Sequence, residues 1–184
     1  MDIIQKPLPA SCYSPQDRLL TDLIVVHHIS AIHTAQRTPK GEVILEKAYS
    51  MQACYDLLVD LGLSYHYLYG RDGEVWQLIP DEAIAWHAGK SEWNSRRGCN
   101  SFSQGHCFIG SYLDDYTPEQ YQQFDYNTAI IMNKYGLQRH NIVGHRDIAG
   151  DDIRGEGKGK KDPNRGFDWA GRDETLGYIN KDMG

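Results

Sequence analysis

The feature that most constrains this chain is an apolar run at residues 23–26, Leu-Ile-Val-Val, that ends in two adjacent histidines, His27 and His28. A short, continuous, largely β-branched run predicts a strand that is buried on both faces. The end of this strand has two interpretations. In the first, one imidazole is a core side chain bonded to a backbone carbonyl and the other faces water. In the second, the strand end presents one ring nitrogen to a metal ion.

Strands and helices alternate along the rest of the chain. Asp72 and Gly73 separate two aromatic and β-branched runs, which predicts a hairpin. Thr117 begins the clearest helix with a capping box, and Gly136 ends it. The same patterns predict a helix at 43–62, a strand at 106–113 and a short strand within 141–150 that leads into a loop. We therefore expect an α/β fold, a single domain over residues 1–184 in which helices flank a mixed β-sheet.

The composition is that of a soluble globular protein, and its charge excludes some partners. The chain has 184 residues and a formal net charge of -6 at pH 7, the wrong sign for a general nucleic-acid binder. No apolar stretch approaches the roughly 20 residues of a membrane helix. The first residues lack the pattern of a signal peptide. We expect a monomer that is cytoplasmic as synthesised and binds neither nucleic acid nor membrane.

The cysteines and histidines of the chain differ in how much they indicate about a functional site. The four cysteines, Cys12, Cys54, Cys99 and Cys107, form no CxxC pair, so they favour neither a zinc ribbon nor a thioredoxin-type motif. We expect them to be free thiols. The eight histidines are more informative, because those in "HHISAIH", "SYHY", "AWHAG" and "VGHRD" lie beside apolar or small residues.

Three potential metal ligands lie on separate segments of the chain. They are His27 at the end of the first apolar run, His145 in "NIVGHRD" and Asp162 in "KGKKDPNRGFDW". Both histidines follow short β-branched runs, so strand ends would hold them on one side of the sheet. Two neutral imidazoles and a carboxylate fill three positions of a tetrahedral zinc site and leave the fourth for water, as a catalytic site requires.

Each of these residues also has an ordinary structural interpretation. His145 fits a loop histidine paired with Asp147, and Asp162 fits a turn aspartate before proline. The loop between these two residues is long, so Asp147, Asp151 and Asp152 compete for the role of carboxylate ligand. The spacing alone does not decide between these possibilities.

Seven segments between about residues 22 and 169 occur in the order found in a known enzyme family. They are "LIVVHH", "SYHYLYGRDGEVWQLIP", "AWHAG", "CNSFSQGHCFIG", "YTPEQYQQ", "IVGHRDIA" and "KKDPNRGFDW". By these segments the chain resembles the zinc-dependent N-acetylmuramoyl-L-alanine amidases, which include phage lysozyme-type amidases, wall-recycling amidases and peptidoglycan recognition proteins. The resemblance implies the fold of that family.

The resemblance also implies the metal ligands and two catalytic residues. The matching positions in the family bind zinc, which implies one zinc ion on His27, His145 and Asp162. Phage-type members have a tyrosine before the hairpin and a lysine two residues before the third ligand, here Tyr65 and Lys160. A phenol or a cation stabilises the oxyanion that forms in amide hydrolysis. Without the resemblance, Tyr65 fits a half-buried strand aromatic and Lys160 a solvated basic loop.

Three further residues are expected to contact substrate or support the site. They are His28, which lines or supports the metal site, and Trp86 and His87, whose segment lines the substrate groove in the family. His87 also fits a loop histidine packed against Trp86. Wall-recycling members carry a glutamate base at the position of Cys107, or of Tyr112 if the alignment slips, so this base is absent here. Its absence favours the phage-type catalytic residues.

The expected activity is hydrolysis of the amide bond between N-acetylmuramic acid and L-alanine in peptidoglycan. The expected setting is a phage-type endolysin, a bacteriolytic and antimicrobial enzyme that a holin releases to the cell wall. One alternative is a cytoplasmic amidase that recycles muropeptides, which "AWHAG" and "DPNRGFDW" resemble. The other is a module that binds peptidoglycan fragments without cutting them, although the three filled ligand positions favour catalysis.

Overall fold

A mixed β-sheet flanked by helices forms the centre of the structure, a computed structural model that describes residues 2–16, 18, 20–31, 38–42 and 48–179. The described strands are β1 (Ile3–Gln5), β2 (Tyr13–Ser14), β3 (Leu23–Ile29), β4 (Tyr67–Tyr69), β5 (Val75–Gln77), β6 (Ile84–Ala85), β7 (Glu92–Trp93), β8 (Arg96–Arg97), β9 (Ser103–Ile109) and β10 (Ile142–Gly144). The described α-helices are α1 (Met51–Leu61), α2 (Pro118–Tyr135), α3 (His145–Ile148), α4 (Asp151–Arg154) and α5 (Trp169–Ile179).

The six strands of the central sheet follow the order β1-β5-β4-β9-β3-β10. Their neighbouring pairs are parallel except for the β4–β5 hairpin. The central strands β3 and β9 pair from Leu23 with Ser103 to Ile29 with Ile109. β9 is buried along its whole length, which explains why these two strands lack a clear alternation of apolar and polar residues.

Helices cover both faces of the sheet. On one face, Cys54 and Leu58 of α1 belong to a buried cluster with Cys107 of β9. On the other face, Phe124 of α2 packs in a second cluster with Phe108 of β9. Because successive side chains of a strand point to opposite faces, adjacent residues of one strand serve different clusters.

The start of α2 is fixed by the capping box that the sequence predicts. The Thr117 side chain accepts the Gln120 N–H, the Gln120 side chain accepts the Thr117 N–H, and Gly136 ends the helix in the left-handed region at φ 67. The Gln120 amide also donates to the carbonyl oxygens of Tyr69 and Ile109 at 3.0 and 2.9 Å. This single side chain therefore ties the helix to the ends of β4 and β9.

Most predicted elements are confirmed, although the strand predicted at 106–113 lies at Ser103–Ile109, and one prediction is wrong. The first strand, the hairpin and α2 are present. The predicted first helix is present from Met51, while residues 43–47 lie outside the described part of the chain. The predicted loop after the strand in 141–150 is wrong, because the short helices α3 and α4 follow β10. The Asp147 side chain accepts the Gly144 N–H and starts the first of them.

The cysteines are free thiols, as predicted, and all four are buried. Burial raises the pKa of the Cys54 thiol to about 12, so this thiol is unreactive at neutral pH. In the described part of the chain, no helix is long and apolar enough to cross a membrane.

Candidate metal centre and active site

Two parallel strands place two histidines side by side. β3 and β10 pair with Val26 opposite Gly144, so the next residue of each segment, His27 and His145, lies at the same edge of the pair. Their ring centroids are 4.5 Å apart. His27 is fully buried and His145 is 3% exposed. The predicted placement of both histidines on one side of the sheet is therefore confirmed.

Asp162 joins these histidines in one cluster. Its Oδ2 atom lies 2.9 Å from His27 Nδ1 and 3.1 Å from His145 Nδ1. One ligand atom from each of the three residues lies within 4.8 Å of the others. Two competing carboxylates have other partners, because Asp147 caps α3 and Asp151, at the start of α4, accepts the Gly159 backbone N–H. The structure thus brings the three predicted ligands together.

The hydrogen bond of His145 on the side away from Asp162, the outer side of the ring, indicates which ring nitrogen is free to bind a metal. His145 Nε2 lies 3.1 Å from the carbonyl oxygen of Ala88. A carbonyl only accepts, so in the neutral ring Nε2 carries the proton and Nδ1 presents a lone pair to Asp162. A lone pair and a carboxylate oxygen at 3.1 Å repel each other unless a cation lies between them. This donor set fits zinc, which binds imidazole nitrogen and carboxylate oxygen.

The charges of the cluster also fit metal binding, which requires neutral imidazole and ionised carboxylate. Burial, together with the neighbouring His145, lowers the pKa of His27 to about 4, so this ring is neutral at pH 7. Burial alone would raise the pKa of Asp162, but the adjacent His145 and His27 rings outweigh it and hold this pKa well below its usual range. Asp162 is therefore ionised at neutral pH.

Gly144 allows the Asp162 loop to approach the end of β10. A Cβ atom at Gly144 would lie 2.8 Å from Pro163 Cδ. Gly144→Ala is therefore expected to displace the loop and to weaken zinc binding about 10–100-fold, as loss of support for a ligand does. Competition with a chelator measures this affinity. Gly177→Ala is the control, because no atom lies within 4 Å of its Cβ position. Equal affinities in the two variants would contradict the prediction.

Comparison with known proteins identifies the family of this chain. A family model described as N-acetylmuramoyl-L-alanine amidase matches residues 17–165. The chain belongs to that family. Its general reaction is accordingly hydrolysis of the N-acetylmuramoyl–L-alanine amide. The family is generally zinc-dependent, and the cluster of two histidines and one aspartate fits this dependence.

Relatives of the amidase agree with this assignment. The 1,6-anhydro-N-acetylmuramyl-L-alanine amidase AmpD of Escherichia coli (strain K12) is 36% identical over 89% of this chain and 86% of its own length. A crystal structure of a selenomethionine AmpD derivative has a TM-score of 0.71 at 30% identity, over 95% of this chain and 94% of the other. The endolysin LysCS from Clostridium intestinale shares the fold, with a TM-score of 0.63 at 19% identity over 96% and 95% of the two chains. The expected amidase-like fold is confirmed.

Tyr65 of the amidase lies next to the metal cluster. Its ring centroid is 4.9 Å from that of His27, and its hydroxyl hydrogen-bonds to the Cys107 thiol. Burial, assisted by Cys107 and Asp162, raises the pKa of Tyr65 well above its usual value. Burial also raises the pKa of Cys107. Tyr65 therefore retains a proton to donate at neutral pH, whereas Cys107 does not replace a carboxylate base.

Lys160 and Trp86 border a cavity of about 170 Å³ that His145 also lines. The backbone N–H of Lys160 donates to the Ala149 carbonyl at 2.8 Å, which anchors the base of an exposed side chain. The charge of Lys160 contributes to the lowered pKa of His27. Trp86 is 39% exposed. Both predicted residues thus border the cavity that His145 of the cluster also lines.

His28 points to the opposite face of the sheet from His27. Its Nδ1 atom lies 3.2 Å from the Tyr116 hydroxyl, which also accepts the Asn164 N–H at 3.4 Å. Asn164 belongs to the loop of Asp162. This placement favours a supporting role for His28 over contact with substrate.

His87 lies behind His27, and its ring nitrogens are both within hydrogen-bond distance of protein atoms. Nδ1 is 2.9 Å from His27 Nε2, and Nε2 is 3.1 Å from Ser103 Oγ. The residue is only 7% exposed, so little of its surface is available to substrate. Contact between His87 and substrate stays a prediction. The sequence did not indicate Ser103 or the Ala88 carbonyl, because a backbone carbonyl has no residue-type signal and Ser103 lies in a generally polar segment.

Proposed function

We propose that this protein hydrolyses the N-acetylmuramoyl–L-alanine amide with one zinc ion held by His27, His145 and Asp162, in a single amidase domain over residues 1–184. The observation that supports this most is the convergence of three ligand atoms within 4.8 Å. Because all three positions hold residues that bind zinc, catalysis is favoured over a module that binds fragments without cutting them.

The remaining residues supply the other requirements of amide hydrolysis. Zinc at this position supplies a Lewis acid that polarises the carbonyl and lowers the pKa of a water molecule. To Lys160, which borders the cavity beside His145, we assign stabilisation of the carbonyl oxygen as it becomes negative. Tyr65, which keeps its proton because its pKa is raised, donates to that oxygen or to the leaving amine. The exposed part of Trp86 offers a ring face for the substrate.

For the substrate, we infer a soluble muropeptide with a 1,6-anhydro end, hydrolysed by a monomer in the cytoplasm. AmpD proteins named for this substrate are 30% to 38% identical to the chain, whereas the endolysin LysCS from Clostridium intestinale shares only the fold at 19% identity. This favours the recycling alternative over a phage-type endolysin released by a holin. One observation supports the lytic alternative, namely Cys107 at the position expected for the glutamate of recycling members.

Two substrates distinguish these alternatives. The zinc-loaded protein is incubated with a 1,6-anhydro-N-acetylmuramyl peptide and, separately, with intact sacculi, and the released peptides are identified by mass spectrometry. We expect kcat/KM to be at least about tenfold higher for the soluble substrate, and a chelator to stop both reactions until zinc is restored. Faster release from sacculi would favour the lytic enzyme, and binding without release from either would favour the non-catalytic module.

A further inference from the structure

A line of hydrogen-bonded groups runs from the backbone to the outer nitrogen of His27. The Ser103 hydroxyl lies 2.6 Å from the Cys99 carbonyl oxygen and 3.1 Å from His87 Nε2. His87 Nδ1 lies 2.9 Å from His27 Nε2. These contacts connect three separate segments of the chain and end at the metal cluster.

The carbonyl at one end determines the direction of every hydrogen bond in this line. A carbonyl only accepts, so the Ser103 hydroxyl donates to Cys99 and accepts from His87 Nε2–H. A neutral imidazole with its proton on Nε2 has a lone pair on Nδ1, so His87 accepts from His27 Nε2–H. The Nδ1 atom of His27 is then bare, meaning that it carries no proton and has a free lone pair. It lies 2.9 Å from Asp162 Oδ2.

The fold makes room for the His87 ring and anchors its backbone. Gly105 in β9 lies against this ring, and a Cβ atom there would be 2.8 Å from His87 Cγ. The Asn100 side-chain oxygen accepts the backbone N–H groups of His87 and Ala88 at 3.2 and 2.8 Å. The neighbouring residues His87 and Ala88 thereby provide the acceptors for the Nε2 atoms of His27 and His145.

We infer that His87 and Ser103 are positioning residues that fix His27 in the tautomer whose bare Nδ1 atom binds zinc. This inference rests on the proposed metal site and adds to it two residues that do not bind the metal themselves. An acceptor for the outer N–H orients a ligand histidine and makes its inner nitrogen more basic. Without that acceptor, the proton of His27 is expected to move to Nδ1 and to form a hydrogen bond to Asp162. A proton on Nδ1 prevents this atom from binding the metal.

The tautomer is measurable in the metal-free protein at neutral pH by long-range proton–nitrogen correlation NMR of ¹⁵N-labelled histidines. In the unchanged protein we expect the His27 proton on Nε2. His87→Phe keeps a ring of similar size but removes the acceptor, so we expect the proton on Nδ1. His87→Asn keeps an acceptor oxygen near the position of Nδ1 and is expected to restore the Nε2 proton.

The zinc dissociation constant, measured by competition with a chelator, is a second readout that does not depend on activity. We expect His87→Phe to raise it about 10–100-fold, Ser103→Ala to raise it by a smaller factor, and His87→Asn to restore most of the affinity. His106→Phe is the matched control, because His106 is a buried histidine whose nitrogens contact Tyr69 and Gln104. It should leave the constant unchanged.

Three results would overturn the inference. The first is a proton on Nδ1 of His27 in the unchanged metal-free protein. The second is equal zinc affinity in His87→Phe and the unchanged protein. The third is a loss of affinity that His106→Phe shares and His87→Asn does not restore, since this would assign the His87 ring to packing alone. All three leave the proposed metal site in place, whereas failure of the unchanged protein to bind zinc would remove that site as well.

Discussion

Replacing Asp162 with alanine is expected to abolish amide hydrolysis and to remove zinc from the purified protein. In the proposed site Asp162 is the charged ligand, and its Oδ2 atom lies 2.9 and 3.1 Å from the Nδ1 atoms of His27 and His145. Loss of a residue that only orients a ligand costs about 10–100-fold in metal affinity or activity. Loss of the charged ligand should therefore cost more than about a hundredfold in both.

Zinc content after dialysis and release of the stem peptide from a soluble muropeptide measure the two effects of Asp162→Ala. Asp152→Ala is the matched control, because Asp152 is an exposed carboxylate that precedes Asp162 in the same part of the chain. We expect this control to retain about one zinc ion and full activity. If Asp152→Ala lost zinc while Asp162→Ala kept it, a different carboxylate would be the ligand.

The positions of the two candidate histidine ligands at strand ends can be predicted from the sequence, because local residue patterns determine where strands end. His27 closes one β-branched run and His145 follows another. The pairing of the two strands is not a local property, and the parallel register that sets Val26 opposite Gly144 comes from the structure. The sequence therefore predicts a shared side of the sheet, but not the separation of the rings.

Asp162 is a harder case, because the residue pattern did not distinguish it from Asp147 and Asp152. The resemblance to a family selected it. In the structure the distinction is physical: Asp147 accepts a backbone N–H at the start of α3, and the loop of Asp162 reaches the cluster because Gly144 leaves room for Pro163. Such a close approach depends on the folded backbone.

The hydrogen bonds that support the candidate ligands cannot be predicted from local sequence patterns. His27 and His87 are 60 residues apart in the chain, and a histidine in "AWHAG" looks the same whether it faces substrate or another ring. Helix α5 was also not predicted. It packs on α2 through buried Leu176 and an ion pair of 2.7 Å between Arg172 and Asp125, so its position depends on tertiary contacts rather than on a strong apolar period.

Replacing Lys160 with alanine is expected to lower kcat by about 10²–10³-fold while zinc content stays at about one equivalent. Lys160 borders the cavity beside His145, and its charge acts on His27. A group that stabilises the oxyanion contributes an effect of this size. The charge interacts less with the neutral carbonyl of the bound substrate than with the oxyanion, so KM should change little.

The neighbouring Lys161 provides the control for this prediction, because it is an exposed lysine in the same loop. Lys161→Ala should keep the kcat of the unchanged protein. Tyr65→Phe should lower kcat with zinc retained, because it removes the proton that the raised pKa of Tyr65 preserves. If Lys160→Ala raised KM and left kcat unchanged, Lys160 would belong to substrate binding. If the two lysine variants lost kcat equally, a general effect of loop charge would replace the specific role of Lys160.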